Sequence, residues 1–522
     1  MAIKLTMLII FFGIFIMVGY MCRKSSKSVN GFVLGGRNVG PWLTAFAYGT
    51  SYFSAVIFVG YAGQFGWSFG IASTWIGLGN AFIGSLLAWS ILGRRTRVMT
   101  QHLGSKTMPE FFGQRFKSKN LKIAASAITF IFLIPYTASL FNGLSRLFKM
   151  AFNVEYSYCV IVMAVLTAIY VIVGGYMATA VNDFIQGLIM LVGIVAVILA
   201  VLGQNGGLMG SIAALSNIPS ETSNVNGVFA SFLGPEPMYL LIVVLLTSLG
   251  TWGLPQMVGK FYAITNEEAI KKGTVISTIF AIVVAGGCYF LGGFGRLFNT
   301  QAQVDIEGFD SIVPSMLSGL PDILIAIVLI LVLSASMSTL SSLVLASSST
   351  LTLDFIGGLR KKEATEKSNM NLLRVFVAIF IVISAIIAIV QATSKVTFIA
   401  QLMGISWGAL SGAFLAPFLY GLYWKKVTKA GVTTGFIFGI VTMIIQLLIS
   451  LKILTVSGPI LETIFKNSLY SGVFAMLASL IIVPIVSLLT GKTTPDGVDE
   501  MFDCYGQTVR VHARTSLTDE EE

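Results

Sequence analysis

Charged residues are scarce in this chain of 522 amino acids, and so are histidine and cysteine. Asp, Glu, Lys and Arg together make up 11% of the sequence, less than half of the ~25% that is usual for soluble globular proteins. Hydrophobic residues make up 55%, and the mean hydropathy is +0.86. This composition excludes an ordinary soluble domain and predicts an all-α integral membrane protein that crosses the bilayer many times.

The scarcity of histidine and cysteine argues against enzyme or metal chemistry. The two histidines, His102 and His512, lie in a predicted loop and in the C-terminal tail. No group of His, Cys and Glu has the spacing of metal ligands, and no nucleophile has a neighbouring base, so we do not expect an enzyme. The four cysteines are predicted to be small packing residues and not disulfide partners: Cys22, Cys159, Cys288 and Cys504.

Long apolar runs predict about thirteen transmembrane helices, at ~20 apolar residues per crossing. We assign residues 1–489 to one transmembrane domain. Residues 490–522 are too polar and too short to fold alone, and predict a disordered cytoplasmic tail. The thirteen runs are residues 5–20, 42–66, 71–92, 123–147, 158–174, 184–202, 239–257, 273–298, 323–352, 372–390, 398–422, 431–449 and 469–489.

The net charge of +10 comes from basic residues in alternate loops and not from one basic patch. This distribution argues against a nucleic-acid partner. Because cytoplasmic loops are enriched in Lys and Arg, it predicts an outside N-terminus and a cytoplasmic C-terminus. The basic residues follow predicted spans 1, 3, 7, 9 and 11: Arg23, Lys24, Lys27; Arg94, Arg95, Arg97, Lys106, Arg115, Lys117, Lys119, Lys122; Lys260, Lys271, Lys272; Arg360, Lys361, Lys362, Lys367; and Lys425, Lys426, Lys429.

Two of the apolar runs contain turn-forming residues where a membrane helix should be continuous. They are residues 47–54 (AYGTSYFS) and 248–256 (SLGTWGLPQ). Backbone groups freed by such a break cannot face lipid, so they must line a cavity inside the protein. A matched pair of broken helices is typical of inverted-repeat secondary transporters. We predict a core over about residues 42–422, in which spans 2–6 and 7–11 form two five-helix halves of opposite orientation.

Predicted span 9 carries six hydroxyl groups within nine residues, at positions 334–342 (SASMSTLSS). A single Ser or Thr in a membrane helix usually bonds a backbone carbonyl of its own helix. A cluster of hydroxyls facing the first helix break has a second interpretation, because hydroxyl and carbonyl oxygens are hard ligands that suit a cation such as Na⁺.

Asp183 also has two interpretations. It begins predicted span 6, where acidic residues are costly and usually functional, which favours a role in ion coupling. The same position would suit an N-terminal helix cap.

Polar and aromatic residues near the two breaks are candidate solute ligands. Their competing interpretation is an aromatic interface belt or polar contacts between helices. The candidates are Tyr52, Gln64, Asn80, Tyr136, Thr247, Thr251, Trp252 and Gln256.

Four segments together resemble the sodium:solute symporter family, which includes bacterial proline permeases and sodium/galactose and sialic acid symporters. They are residues 34–41 (LGGRNVGP), 174–178 (GGYMA), 337–341 (MSTLS) and 424–431 (WKKVTKAG). The resemblance covers nearly the whole chain in order and spacing. It implies about thirteen helices, a LeuT-type 5+5 inverted-repeat core and coupling to inward Na⁺ movement.

The resemblance also implies which residues hold the ion. The family's sodium site falls on the carbonyls of Thr50, Phe53 and Ala335 and on the hydroxyls of Ser338 and Thr339. Asp183 matches the acidic position that the family links to ion coupling.

The chain departs from the proline permeases at three candidate solute ligands. Tyr52 stands where they carry aspartate, and Thr247 and Thr251 stand where they carry tryptophan and tyrosine. These departures argue against proline as the solute. The predicted cation ligands do not depart from the family pattern.

The sequence therefore predicts a Na⁺-coupled symporter that imports a small polar organic solute by alternating access across a plasma membrane. Its expected partners are the solute, Na⁺ and the lipid bilayer, and the solute and the oligomeric state stay open. Two alternatives remain: a proton-coupled symporter of the same fold, with Asp183 as the proton site, and a transporter-like nutrient sensor.

Overall fold

The computed structural model describes residues 2–220, 223–360, 364–394 and 399–506. Regular secondary structure in these ranges is helical, and a single isolated β-bridge joins Val39 to Ile264. Some predicted features lie outside the described residues: Lys361 and Lys362 of the basic loops, the first residue of predicted span 398–422, and residues 507–522 of the tail.

Ten helical segments are long and apolar enough to cross a membrane, and a bent pair, Pro237–Gly253 with Pro255–Ala263, makes eleven. This confirms an all-helical membrane protein, whereas the count of thirteen is not confirmed. The ten segments are Lys4–Cys22, Val56–His102, Lys119–Phe152, Tyr156–Gly203, Glu267–Leu297, Asp322–Leu359, Glu366–Val390, Gln401–Tyr423, Lys429–Ser450 and Ser468–Leu489.

Two of these segments are unusually long, at 47 residues for Val56–His102 and 48 for Tyr156–Gly203. A helix of that length would span about 70 Å, more than twice the ~30 Å of a bilayer core. Each contains a glycine in a conformation that other residues rarely adopt: Gly70 has φ 61° and Gly175 has φ 57°. Each segment therefore has the length for two crossings. Tyr156–Gly203 contains the predicted spans 158–174 and 184–202, whereas Val56–His102 contains the end of predicted span 42–66 and all of span 71–92.

Both predicted breaks are present. Helix Pro41–Tyr52 ends where Phe53 adopts an extended conformation, and helical structure resumes at Val56. We call these two pieces the first broken helix. Helix Pro237–Ser248 passes through a short 3-10 turn, and after the extended residue Leu254 the chain continues as Pro255–Ala263 at an angle of 48°. We call Pro237–Ala263 the second broken helix.

The second broken helix corrects the predicted position of one charge. Predicted span 7 ended at residue 257, and Lys260 was assigned to the basic loop after it. In the structure Lys260 lies inside helix Pro255–Ala263 and is 3% exposed. Lys260 is therefore a buried charge of the core and carries no information about loop topology.

The start of the tail is helical and packs on the end of the molecule that carries the basic loops. Helix Val498–Asp503 places Phe502 near the Arg115 guanidinium, and Asp499 pairs with Lys425 at 2.7 Å. Arg115 donates hydrogen bonds to the carbonyl oxygens of Gly421 and Trp424. Burial lowers the pKa of Arg115 to about 10, so it remains a cation at neutral pH.

Candidate ion and solute site

Backbone carbonyls of the first broken helix meet hydroxyls of helix Asp322–Leu359, which we call the hydroxyl helix. The Thr339 hydroxyl lies 3.2 Å from the carbonyl oxygen of Thr50, 3.1 Å from that of Phe53 and 3.1 Å from that of Ala335. The extended conformation at Phe53 ends the first half-helix, so its last carbonyls lack the amide partners of a continuous helix. Four oxygens from two elements therefore form one cluster.

Ser338 joins this cluster through a side chain. Its hydroxyl donates to the Thr50 hydroxyl at 2.6 Å, and the Thr50 hydroxyl donates in turn to the Phe46 carbonyl at 2.8 Å. The structure thus brings all five predicted Na⁺ ligands together in the buried core. Carbonyl and hydroxyl oxygens of this kind are hard ligands and fit an alkali cation. Thr339 makes the direct contacts with the carbonyls, whereas Ser338 contacts the Thr50 side chain.

Asp183 forms a buried ion pair with Lys260. The carboxylate is 0% exposed, and its Oδ2 lies 3.6 Å from the Lys260 ammonium. Asp183 stands more than two helical turns after the break at Gly175, inside a helix, so the helix-cap interpretation is wrong. A charge at this depth in a membrane protein is expensive and usually functional.

The ion pair belongs to a network that connects four core elements, of which helix Tyr156–Gly203 carries Asp183. The Lys260 ammonium, on the second broken helix, donates to the Ser342 hydroxyl of the hydroxyl helix at 2.9 Å. Ser342 lies 2.8 Å from the Ser51 hydroxyl of the first broken helix. Lys260 also lies 5.3 Å from the ring centre of Tyr176. A movement of either broken helix would therefore disturb this network.

Polar groups beside Asp183 are left without good hydrogen bonds. The side-chain amides of Asn182 and Gln186 and the two carboxylate oxygens of Asp183 are buried and have no well-aligned hydrogen-bond partner among the described residues. Unsatisfied polar groups are rare in protein interiors. Three such residues on one helix mark this region as one that binds something polar or that rearranges.

A second polar region lies between the two breaks and contains predicted solute ligands. The Tyr52 hydroxyl donates to the Thr247 carbonyl, which joins the two broken helices directly. The Ser248 hydroxyl donates to Asn80 Oδ1 at 3.0 Å. The other amide atom of Asn80, Nδ2, has no hydrogen-bond partner in the part of the chain that the structure describes.

Tyr136 faces two polar groups that were not predicted. Its ring lies 5.8 Å from that of Trp407, and Trp407 lies 6.0 Å from Tyr52. The Tyr136 hydroxyl faces Ser54 and Trp407, yet within the described ranges none of the three polar atoms makes a well-aligned hydrogen bond. Aromatic faces with unsatisfied donors at mid-membrane depth are suited to a small polar solute.

The remaining predicted solute ligands have fewer contacts with this polar region. The Thr247 and Thr251 hydroxyls donate to carbonyls of their own helix, and Trp252 Nε1 donates to the Ile83 carbonyl at 3.0 Å. Gln64 is partly exposed on helix Ala62–Phe69, where its carbonyl accepts from Ser68. Gln64 shows no contact with the other candidates in the described residues.

A small cavity of about 60 Å³ lies beside the second broken helix and is lined by Gln256. It runs along one side of the hydroxyl helix, from Ser342 towards Thr350, and reaches Lys106 and Thr107 of a basic loop. Lys260 and Gln256 form its inner wall. The cavity therefore connects the buried ion pair with the end of the molecule that bears the basic loops.

Several site residues were missed in the sequence: Ser51, Ser54, Tyr176, Lys260, Ser342 as a partner of Lys260, and Trp407. For Lys260 a signal existed, because it is the only charge between Pro255 and Thr265 and its neighbours are apolar. Ser54 is the last residue of the predicted break at 47–54, and Trp407 lies in an apolar run, so neither position indicated a contact with Tyr136.

Comparison with known proteins agrees with this geometry. A model of the sodium:solute symporter family matches residues 32–439. The sodium/proline symporter of Staphylococcus aureus is 30% identical over 382 residues, which is 72% of this chain and 72% of that protein.

A solved structure with a similar fold is the substrate-bound outward-open state of a Na⁺-coupled sialic acid symporter. The TM-score is 0.71 at 16% sequence identity, and the match covers 93% of this chain and 98% of the other. At that identity the likeness establishes the fold alone, which is the LeuT-type fold of sodium-coupled transporters.

Proposed function

This chain belongs to the sodium:solute symporter family, and we propose that it imports a small polar organic solute by alternating access. The solute is of amino acid, sugar, carboxylate or vitamin type, and the membrane is the plasma membrane. Na⁺ is the coupling ion of this multi-pass membrane transporter. The proposed orientation has the N-terminus outside and the C-terminus in the cytoplasm, because the basic loops share one side.

The observation that carries the proposal is the oxygen cluster around Thr339. Three carbonyls from two elements converge on one hydroxyl in the buried core. A cation at these oxygens would hold the first broken helix against the hydroxyl helix. Because such a cation binds one arrangement of the two elements better than another, it shifts the equilibrium between conformations.

The driving force follows from the charge that is moved. One Na⁺ crossing a potential of 100 mV releases about 2.3 kcal/mol, and the Na⁺ concentration difference adds to this. Coupling is efficient only if the solute site and the ion site share a moving element. Here Tyr52 and Thr50 lie on the same half-helix, within one turn of each other.

The test is uptake into proteoliposomes after a binding screen. Purified protein is heated with amino acids, sugars, carboxylates and vitamins, with NaCl or with KCl, since a ligand of the folded state raises its apparent stability. Solutes that stabilise in NaCl are then offered to proteoliposomes under an inward Na⁺ gradient. We expect concentrative uptake that is lost in KCl; uptake that is indifferent to Na⁺ contradicts the proposal.

A proton-coupled mechanism is the second candidate, and one observation favours it. Asp183 is a buried acid that pairs with Lys260 and faces the hydroxyl of Ser338, one of the five residues assigned to Na⁺. In that case a proton gradient alone would drive uptake in Na⁺-free buffer. Uptake in Na⁺-free proteoliposomes with an acidic exterior would decide for this mechanism and against Na⁺ coupling.

A further inference from the structure

The inner cavity is lined by the Lys260 ammonium group and the Gln256 side-chain amide. We propose that Lys260 and Gln256 form a carboxylate-binding subsite on the route between the core and the side of the basic loops. The transported solute then carries a carboxylate group. This inference rests on the proposed transport function and narrows it to one class of solute.

The Lys260 ammonium group can donate a further hydrogen bond on the side that faces the cavity. An ammonium group has three protons to donate. One goes to the Ser342 hydroxyl at 2.9 Å, and the Asp183 carboxylate lies at 3.6 Å, longer than a good charge-assisted hydrogen bond. Lys260 lines the cavity, whereas Asp183 is not among the described residues that do. A carboxylate in the cavity can therefore reach the ammonium without displacing Asp183.

Gln256 supplies the second group. It is 4% exposed and lines the same cavity one helical turn before Lys260. Neither its Nε2 nor its Oε1 has a hydrogen-bond partner within the described parts of the chain. A buried amide without partners is costly in a resting protein and is satisfied when a ligand accepts its proton. Residues four apart share one helix face, so both groups can bind one carboxylate.

The charge of the cavity wall selects an anion. Lys106 and Lys260 are its charged lining residues, and no Asp or Glu lines it in the described chain. Two acids near Lys106 are already paired, since Lys122 lies 3.5 Å from Glu110 and 3.2 Å from Asp354. Helix Pro255–Ala263 also begins at the cavity, and the positive end of its dipole adds to the attraction.

A neutral sugar fits this wall less well. Sugar hydroxyls need acceptors as well as donors, and protein sites commonly supply them as carboxylates and amides. In the described lining of this cavity the charged groups are donors only, and the side-chain acceptors are hydroxyls and the Gln256 amide oxygen. A solute of net positive charge would be repelled by Lys106, whereas the charge of Lys260 is balanced by Asp183.

The experiment compares carboxylate solutes with uncharged analogues in which an amide or a hydroxymethyl group replaces the carboxylate. Proteoliposomes of the full chain take up the radiolabelled solute found in the binding screen in NaCl, in competition with lactate and lactamide and with pantothenate and pantothenol. We expect every effective competitor to carry a carboxylate and its uncharged analogue to be at least 10-fold weaker. If a neutral solute is taken up as well as any carboxylate, the subsite is wrong while Na⁺-coupled transport stands. Failure of all solutes to show Na⁺-dependent uptake instead overturns the proposed function.

Variants then locate the subsite. Gln256→Met keeps the side-chain length and removes both amide atoms, so the half-saturation constant for the carboxylate solute should rise at least 5-fold. The charge-balanced double variant Lys260→Gln with Asp183→Asn should raise it further. Ser349→Ala is the control, because Ser349 lines the cavity and its hydroxyl bonds a carbonyl of its own helix. An unchanged constant in Gln256→Met, with the protein folded and Na⁺-dependent, contradicts the assignment.

Discussion

At the residue scale, the proposed Na⁺ site contains two adjacent hydroxyls with different contacts. Thr339 touches three carbonyl oxygens, whereas Ser338 touches the Thr50 hydroxyl. Both variants, Thr339→Ala and Ser338→Ala, remove little volume. Loss of one ligand costs on the order of 1–3 kcal/mol, or roughly 5- to 150-fold in apparent Na⁺ affinity. We expect Thr339→Ala to have the larger effect, measured as the Na⁺ concentration for half-maximal uptake.

The control for this prediction is on the same helix. Ser347 is buried, and its hydroxyl has no partner in the described residues, so Ser347→Ala removes no bond. It should leave Na⁺ activation unchanged. If Thr339→Ala behaves like Ser347→Ala, the hydroxyls are helix-packing groups and the ion binds elsewhere.

The Asp183 and Lys260 pair leads to a second prediction. Removing one partner of a buried ion pair leaves an uncompensated charge, which typically costs ~3–5 kcal/mol, whereas removing both charges costs much less. Asp183→Asn and Lys260→Gln should each lower the melting temperature of the purified protein. The double variant should recover most of the loss.

The same three variants distinguish a structural role of Asp183 from a role in ion coupling. If Asp183 takes part in ion coupling, the double variant is stable and still has weakened Na⁺ activation or slower uptake. A double variant with wild-type stability and wild-type Na⁺ activation would leave Asp183 a purely structural partner of Lys260.

At the scale of helices, the breaks could be predicted from the sequence, whereas the apolar neighbours of Lys260 were not enough to predict its position inside a helix. Turn chemistry is local, so Gly49 and Gly250 mark the breaks within a few residues. The residue at which a helix ends after a break depends on the tertiary packing of that helix. Three apolar residues follow Lys260 before the helix ends at Ala263, and only burial against the hydroxyl helix distinguishes such a charge from a loop lysine.

The Na⁺ ligands implied by the family resemblance lie in two short segments, residues 50–53 and 335–339, which the structure brings into contact. The candidate solute region could be predicted only in part, because it collects single polar groups from many helices. Trp407 and Ser54 join Tyr136 through packing across the core, which no local pattern encodes.

Close helix packing at glycine gives a prediction at this scale. A Cβ atom on Gly66 would lie 2.0 Å from the Gly292 carbonyl oxygen of the neighbouring helix. Gly66→Ala must push the two helices apart, and overpacking of this kind costs ~1–3 kcal/mol. We expect a lower melting temperature and reduced folded yield. Gly286→Ala is the matched control, since its Cβ would meet nothing within 4 Å, and an equal loss in both variants would contradict the packing argument.

At the scale of the whole molecule, the orientation in the membrane decides whether the protein is an importer. Asn224 is exposed in a loop without Lys or Arg between residues 203 and 238, and Lys367 is exposed beside a basic loop. In intact cells, Asn224→Cys should react with an impermeant maleimide, and Lys367→Cys should react only after permeabilisation. The unmodified chain with its four cysteines gives the background. The opposite pattern would invert the topology.

The cavity and the ion site together predict a conformational response to Na⁺. The cavity reaches Lys106, so it lies on the side of the basic loops, which is the proposed cytoplasmic side. Na⁺ at the proposed Thr339 site would hold the first broken helix against the hydroxyl helix and should favour an outward-open state in which this cavity is less accessible, since a ligand shifts an equilibrium by its differential affinity. In inside-out vesicles Ala346→Cys, which lines the cavity, should therefore react with an impermeant maleimide several-fold more slowly in NaCl than in KCl.

Adding Thr339→Ala should abolish the difference, whereas adding Ser347→Ala should preserve it. Equal rates in the two salts in the Ala346→Cys protein would show that Na⁺ binding does not close this cavity.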